Sequence, residues 1–246
     1  MQKAIRIIAV VLVMGFLGYL IVAGAISNDK AQKEPWVKAM TLGDRDTAEH
    51  VFYDYTDIMC PFCNKFALAV EAHMDEFKTD YIEGQKIYYE LRLTDLLSQF
   101  HPESPTLVSN SHLSARAGYC AAEKDKFWEW YSWILAKLNT DWYQYDIGTE
   151  PGKQSIPELG KDYFTSVGED IEGLDAGFMG ECIESDEIIA KVNKYTKKAS
   201  ATVKSGLPYY QFGNYIATGF AGNWDPDHDW QQAKLFFDAG IASKKK

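Results

Sequence analysis

From Ile7 to Ser27 the chain carries no charge, and Ile7, Ile8, Val10, Val11, Leu12, Val13, Phe16, Leu17, Leu20, Ile21 and Val22 make it apolar on every face. Lys3 and Arg6 precede the run. Basic residues ahead of an uncharged stretch mark a segment that enters a membrane with its basic end inside. A secretory core needs about 7–15 apolar residues and a bilayer span about 20, so this run has spanning length. Ala23-Gly24-Ala25 nevertheless offers a small-x-small cleavage site. Residues 1–28 therefore read as an uncleaved signal-anchor, with a cleaved signal peptide as the alternative. Either way the remainder of the chain is expected to be exported.

Residues 29–46 are polar and read as a linker, too short for a separate dimerisation domain. Residues 50–57 (HVFYDYTD) alternate and are rich in aromatic and β-branched side chains, which predicts a strand. Pro61 suits the first turn of a helix. That helix continues through CNKFALAVEAHMDEF, with Phe66, Ala69, Val70, His73, Met74 and Phe77 on one face. Residues 86–93 (KIYYELRL) predict a second strand. Residues 112–138 predict one helix, on which Leu113, Ala117, Cys120, Ala121, Phe127, Tyr131, Ile134, Leu135 and Leu138 step mostly by three or four. Gly148, Pro151, Gly152 and Pro157 mark a loop, followed by a short helix. Ser185 can cap the next helix, with Asp186 and Glu187 in its first turn. Gly213-Asn214 between residues 208–212 and 215–218 is a two-residue hairpin signal. Residues 225–242 predict a closing helix, and Lys244–Lys246 a solvated tail. The pattern is β-α-β, then helices, then a hairpin and a helix.

Composition narrows the classes. Hydrophobic residues are 46% and charged residues 24%, which excludes wholesale disorder. The 35 acidic and 25 basic side chains leave a formal charge of −10, two units more negative once Lys3 and Arg6 are set aside. A nucleic-acid binder needs a basic face, so none is expected. The acidic excess reads as a solvated surface.

Four cysteines are too few for a small disulfide-stapled scaffold, but Cys60 and Cys63 form a C-x-x-C at the predicted strand-to-helix junction. A structural zinc site needs four protein ligands, and Cys120 and Cys182 stand alone on apolar faces. A permanent structural bridge usually closes a longer loop. The third use is redox. Cys60 would sit at a helix N-terminus, where free N–H groups and the macrodipole favour a thiolate. Cys63, one turn on, could resolve a mixed disulfide. Pro61 and Phe62 between them add no charge. His50, His73, His101, His112 and His228 have no metal-motif spacing and read as surface or helix-end residues. Trp128, Trp130, Tyr131 and Trp133 read as packed interior rather than a peptide groove.

The motifs DYTDIMCPFCNKFA, RAGYCAAEKDKFWEWYSWIL, GLDAGFMGEC and KSGLPYYQFGN occur in that order. Together they resemble the DsbA-like branch of the thioredoxin superfamily, over about Val51 to Gly240. The resemblance implies an α/β thioredoxin fold with an inserted helical domain. Its first half would be residues 47–105, the helical insertion 106–190, and the connecting helix and second half 191–246. It implies Cys60 as nucleophile and Cys63 as resolving thiol, with Pro61 and Phe62 supporting them. Pro208, with Leu207 before it, lies where the family has its cis-proline loop, whose backbone can pair with a substrate strand. Asp54 lies where the family has a buried acid able to exchange a proton with Cys63; a surface carboxylate on an edge strand is the other reading. Phe62 stands where the family's best-known member has histidine, so an equally strong oxidant is not implied. Cys120 and Cys182 could bridge within the insertion, or remain buried free thiols.

The expected function is an extracytoplasmic, membrane-tethered thiol–disulfide oxidoreductase that donates the Cys60–Cys63 disulfide to exported proteins with cysteines. A membrane redox partner would recycle it. No dissociable cofactor and no metal are implied, and a monomer is expected. The alternatives are a reductase or isomerase with the electron flow reversed, and a module that binds metal or a partner through Cys60 and Cys63.

Overall fold

The computed structural model describes residues 38–143, 157–166, 170–204 and 206–243, all but Lys38 within one unit, Ala39–Lys246. The apolar run at 7–27, the first part of the linker, Gly148, Pro151, Gly152 and the lysine tail lie outside the described residues. Among the described residues no helix is long and apolar enough to cross a membrane.

Five strands form one sheet: β1 (Thr41–Leu42), β2 (His50–Thr56), β3 (Ile87–Leu93), β4 (Tyr209–Phe212) and β5 (Tyr215–Thr218), in the order β1-β3-β2-β4-β5. β2 is central. It pairs in parallel with β3 from His50 opposite Ile87 to Thr56 opposite Leu93. It pairs antiparallel with β4 from Phe52 opposite Phe212 to Tyr55 opposite Tyr209. β4 turns into β5 through Gly213, whose φ of +52° suits a residue without a Cβ.

Two helices cover one face of the sheet: α1 (Pro61–Ala72), directly after β2, and the last helix, Pro226–Ala242. Pro61 opens α1 where its missing N–H is no loss. Asp225 caps the last helix by accepting the Asp227 and His228 N–H groups. Between them lies an aromatic core. The ring of Phe52 is 6.4 Å from Phe66, 4.6 Å from Phe212 and 5.4 Å from Phe237. The helix expected to run on to Phe77 ends instead at Ala72 and resumes as α2 (Met74–Phe77), followed by a π-helical turn, Lys78–Glu83. The break falls at His73, whose ring stacks 5.4 Å from Trp230 and lies 2.9 Å from Asp227, both on the last helix.

Among the described residues six α-helices run between β3 and β4: α3 (Leu97–Phe100), α4 (Pro105–Glu123), α5 (Phe127–Leu138), α6 (Gly160–Thr165), α7 (Ala176–Cys182) and α8 (Asp186–Thr202). The closing helix is α9 (Pro226–Ala242). The single helix expected over 112–138 is two, α4 and α5. The apolar spacing continues across the break, which hides it. What stops the helix is the polar Glu123–Lys126 turn, with Asp125 at φ +54°, a conformation short polar side chains tolerate. α4 also begins earlier than expected, with Pro105 in its first turn. Ser185 caps α8 as expected, its hydroxyl accepting Ile188 N–H. Trp130 and Tyr131 are buried, and Trp128 and Trp133 half-buried. α4 packs closely on β3: Tyr119 donates its hydroxyl to the Leu93 carbonyl at 2.8 Å. Gly118 leaves room for Leu93 and Trp130, and a Cβ there would lie 2.8 Å from the Trp130 ring.

The linker reading of 29–46 is corrected at its end. Met40 is buried in the core, and Thr41–Leu42 pair with Glu90 and Tyr89 as an edge strand. A two-residue strand is too short to show alternation, so the sequence pattern could not mark it.

Candidate active site

Cys60 occupies the N-cap of α1 with extended backbone angles, φ −86° and ψ 114°. Its N–H donates to the Asp57 carbonyl at 2.9 Å and its own carbonyl accepts Asn64 N–H at 3.1 Å. Asn64 is fully buried and donates its amide to the Ile58 carbonyl at 2.7 Å, which ties α1 to the loop before Cys60. No acidic residue occupies the first turn of α1, so no side-chain charge opposes the positive end of the helix. Cys60 and Cys63 are both free thiols, 3% and 2% exposed. Burial pushes the Cys63 thiol well up, as do its hydrogen bond with Cys60 and repulsion from that sulfur. A backbone hydrogen bond from Asp57 and one from the Thr56 side chain pull the other way.

Phe62 is 45% exposed, so the residue between the cysteines presents an apolar ring to solvent. Lys65, which the sequence pattern did not single out, reaches across this surface. Its ammonium lies 5.3 Å from the Phe62 ring centre and 5.1 Å from that of Trp224, and donates to the Gly222 carbonyl at 2.8 Å. Partial burial lowers its pKa, against the attraction of Asp229.

Asp54 lies on the central strand, not an edge strand, and is buried, so the surface-carboxylate reading is corrected. Tyr89 donates to its Oδ2 at 2.7 Å, while among the described residues its Oδ1 has no hydrogen-bond partner. Burial raises the carboxyl to about 7 and the Tyr89 bond only partly offsets it. The buried hydroxyls of Tyr89, Tyr131 and Tyr210 each face both Asp54 and Cys63 electrostatically, and burial chiefly, with those charges, raises all three phenols. Two of these tyrosines come from the sheet and Tyr131 from the insertion.

The Leu207–Pro208 peptide bond is cis. Pro208 immediately precedes β4, and Tyr209 pairs with Tyr55, so the register sets Pro208 at the end of β2 that leads to Cys60. The Pro208 carbonyl accepts Gly219 N–H at 2.9 Å. Leu207 packs against the cluster of Tyr55, Leu96, Ala199, Val203 and Tyr209.

Cys120 and Cys182 form a disulfide with a Cα–Cα distance of 5.9 Å, joining α4 to α7. The free-thiol reading is thereby corrected, and the pair is not available to complete a four-cysteine zinc site. Among the described residues no group of three or more His, Cys, Asp or Glu is arranged to hold a metal.

Sequence reasoning also missed Asp57, buried just after β2 and bonded through its carboxylate to Met59, Leu97 and Ser111. The signal was present in the chain. An Asp just after a strand, accepting the N–H two residues on, is an Asx turn. Burial raises its carboxyl to about 6 despite those three donors.

A family model described as Thioredoxin matches residues 36–206, more than half of the chain. No curated protein matches. Among solved structures, oxidised BdbD from Bacillus subtilis is similar with a TM-score of 0.56 and 14% identity, over 85% of this chain and 96% of that one. The catalytic domain of Proteus mirabilis ScsC gives 0.54 and 13%, over 89% and 97%. Chlamydia trachomatis DsbA gives 0.51 and 13%, over 81% and 90%. At these identities the likeness is one of fold, and it extends through the helical insertion. The chain belongs to the thioredoxin family of thiol–disulfide oxidoreductases and has the fold of its DsbA-like branch.

Proposed function

We propose that this protein is an extracytoplasmic disulfide donor that oxidises exported proteins through Cys60 and Cys63. A substrate thiolate attacks the Cys60 sulfur of the disulfide, and Cys63 leaves as the resolving thiol. A second substrate thiolate then attacks the substrate sulfur of the mixed disulfide and releases Cys60. Two substrate thiols become one disulfide, and the protein gains two electrons and two protons. One observation carries the reading: a C-x-x-C at a helix N-terminus whose inner thiol holds its proton strongly, and a buried carboxyl raised to about 7 that shares Tyr89, Tyr131 and Tyr210 with that thiol as neighbours. Such a pair favours Cys63 leaving as a protonated thiol, with Asp54 exchanging the proton at neutral pH. The cis-proline segment at Leu207–Pro208 is suited to pair with the substrate backbone beside the sulfurs.

The reduced protein then passes its electrons to a membrane redox partner. The apolar run after Lys3 and Arg6 supports export and tethering, and the catalytic unit works outside the membrane as a monomer.

Equilibration with reduced and oxidised glutathione, read at Cys60 and Cys63 by thiol trapping, tests the direction. A potential well above that of thioredoxin supports a donor, and a thioredoxin-like one overturns it in favour of a reductase. Cys60→Ser is expected to abolish oxidation of a reduced, unfolded protein; retained activity overturns the assignment of the nucleophile.

A further inference from the structure

Asp57 leaves β2 three residues before Cys60, and its carboxylate is wholly buried. Three parts of the fold hold it. Oδ1 accepts Met59 N–H at 2.9 Å, within the loop that carries Cys60. Oδ2 accepts Leu97 N–H at 3.0 Å, at the start of α3, and the Ser111 hydroxyl at 2.6 Å, from α4 of the insertion. The same residue's backbone reaches both sulfurs' surroundings, accepting Cys60 N–H at 2.9 Å and hydrogen-bonding Cys63. A buried anion is costly unless donors surround it. Here the donors come from the redox loop on one side and the insertion on the other.

We propose that Asp57 is a positioning residue through which the helical insertion sets the redox equilibrium of Cys60 and Cys63. The inference rests on the redox reading of that pair and deepens it. Reduction by glutathione breaks the Cys60–Cys63 bond and forms one glutathione disulfide from two glutathione thiols. Two electrons and two protons pass to the protein. A carboxylate facing the same loop opposes negative charge on either sulfur, so a charged Asp57 disfavours the reduced pair. Ser111 determines how strongly the carboxyl holds its charge, because its hydroxyl stabilises the ionised form.

The titratable groups facing Asp57 among the described residues are few. From the segment between β3 and α3 comes Asp95, whose charge adds to burial in raising Asp57. From α4 comes His112, which pairs with Asp95 and not with Asp57. From α1 and its cap come Cys63 and Cys60, which the Asp57 backbone meets directly, hydrogen-bonding Cys63 and accepting Cys60 N–H. Thr196 of α8 accepts Asp95 N–H and does not titrate. With its carboxyl at about 6, Asp57 changes charge between mildly acidic and neutral pH.

The test is glutathione equilibration of the full chain from pH 5 to 8, with Cys60 and Cys63 trapped and quantified separately from Cys120 and Cys182. The wild-type constant, written with two glutathione thiols so that the protons cancel, is expected to bend near pH 6. In Asp57→Asn the bend disappears and the reduced pair gains about tenfold at pH 7.5, the scale of one unit charge acting across a partly screened site. In Ser111→Ala the charge remains and the bend moves to higher pH. A merely structural Asp57 would lower the melting temperature and leave the constant unmoved at every pH. That result overturns the proposal. If Asp57→Asn does not fold, Ser111→Ala decides, and a bend fixed at the wild-type pH overturns it. A wild-type pair that exchanges with glutathione while both variants match it refutes this role alone. A wild-type pair that does not exchange refutes the redox reading beneath it.

Discussion

At the scale of single residues, Asp54 shows how a site is poised at some cost to the fold. Its carboxyl rises from 3.8 to about 7 on burial, so between those values the folded protein binds a proton that the unfolded chain releases. Stability therefore falls as pH rises through this window and is lowest above about 7. Asp54→Asn removes the buried charge and keeps an acceptor for Tyr89. It is expected to stabilise the protein by about 2–4 kcal/mol at pH 8, somewhat less than the full free energy of raising a carboxyl this far, because the site relaxes around the charge. At pH 4 the gain vanishes. Urea unfolding at the two pH values checks this. The same variant is expected to slow disulfide transfer at pH 7 by about 100-fold, the low end for losing a general acid. A faster variant would remove Asp54 from the mechanism.

At the scale of elements, the C-x-x-C owes its setting to a strand, a turn and a helix in immediate succession. β2 ends at Thr56, Asp57 makes the Asx turn, and Pro61 starts α1 with Cys60 as its cap. The insertion is built differently, from short helices stapled across a long stretch of chain. The Cys120–Cys182 bridge spans 62 residues. Closing a loop of that size removes unfolded-state entropy worth about 4 kcal/mol in the chain-entropy model. The double variant Cys120→Ser/Cys182→Ser is therefore expected to lose about 2–4 kcal/mol, seen as a lower urea midpoint. Cys60 and Cys63 should remain exchangeable in the protein that stays folded. An unchanged midpoint would mean that the bridge is not formed in solution.

At the scale of the whole molecule, the described stretches before and after the insertion make one core, and the insertion separates them in sequence. Phe237 on α9 lies 5.4 Å from Phe52, 5.7 Å from Phe66 and 5.2 Å from Phe77, ring centre to ring centre. Phe237→Ala is expected to cost about 3–5 kcal/mol in denaturant unfolding, the range for removing a fully buried aromatic side chain. A loss below about 1 kcal/mol would show that the two halves do not depend on each other in this way. Much of this plan was legible in the chain. Alternation marked β2, the run KIYYELRL marked β3, the Gly213-Asn214 pair marked the hairpin, Ser185 marked the start of α8, and the C-x-x-C with Pro61 marked a helix opening on two sulfurs. These signals are local, because strand pleat, turn geometry and capping depend on residues a few positions apart. Tertiary structure alone decided the rest. The apolar period ran unbroken through the turn at Asp125, and Thr41–Leu42 became a strand only because β3 offered an edge. Cys120 met Cys182 only once α4 and α7 were packed. Asp54 and Asp57 look alike in sequence. Yet one lies among tyrosines, with an oxygen that finds no hydrogen-bond partner among the described residues, and the other is held by three donors. Burial and partners at that distance along the chain set the proton affinity of a carboxyl, and no local pattern encodes them.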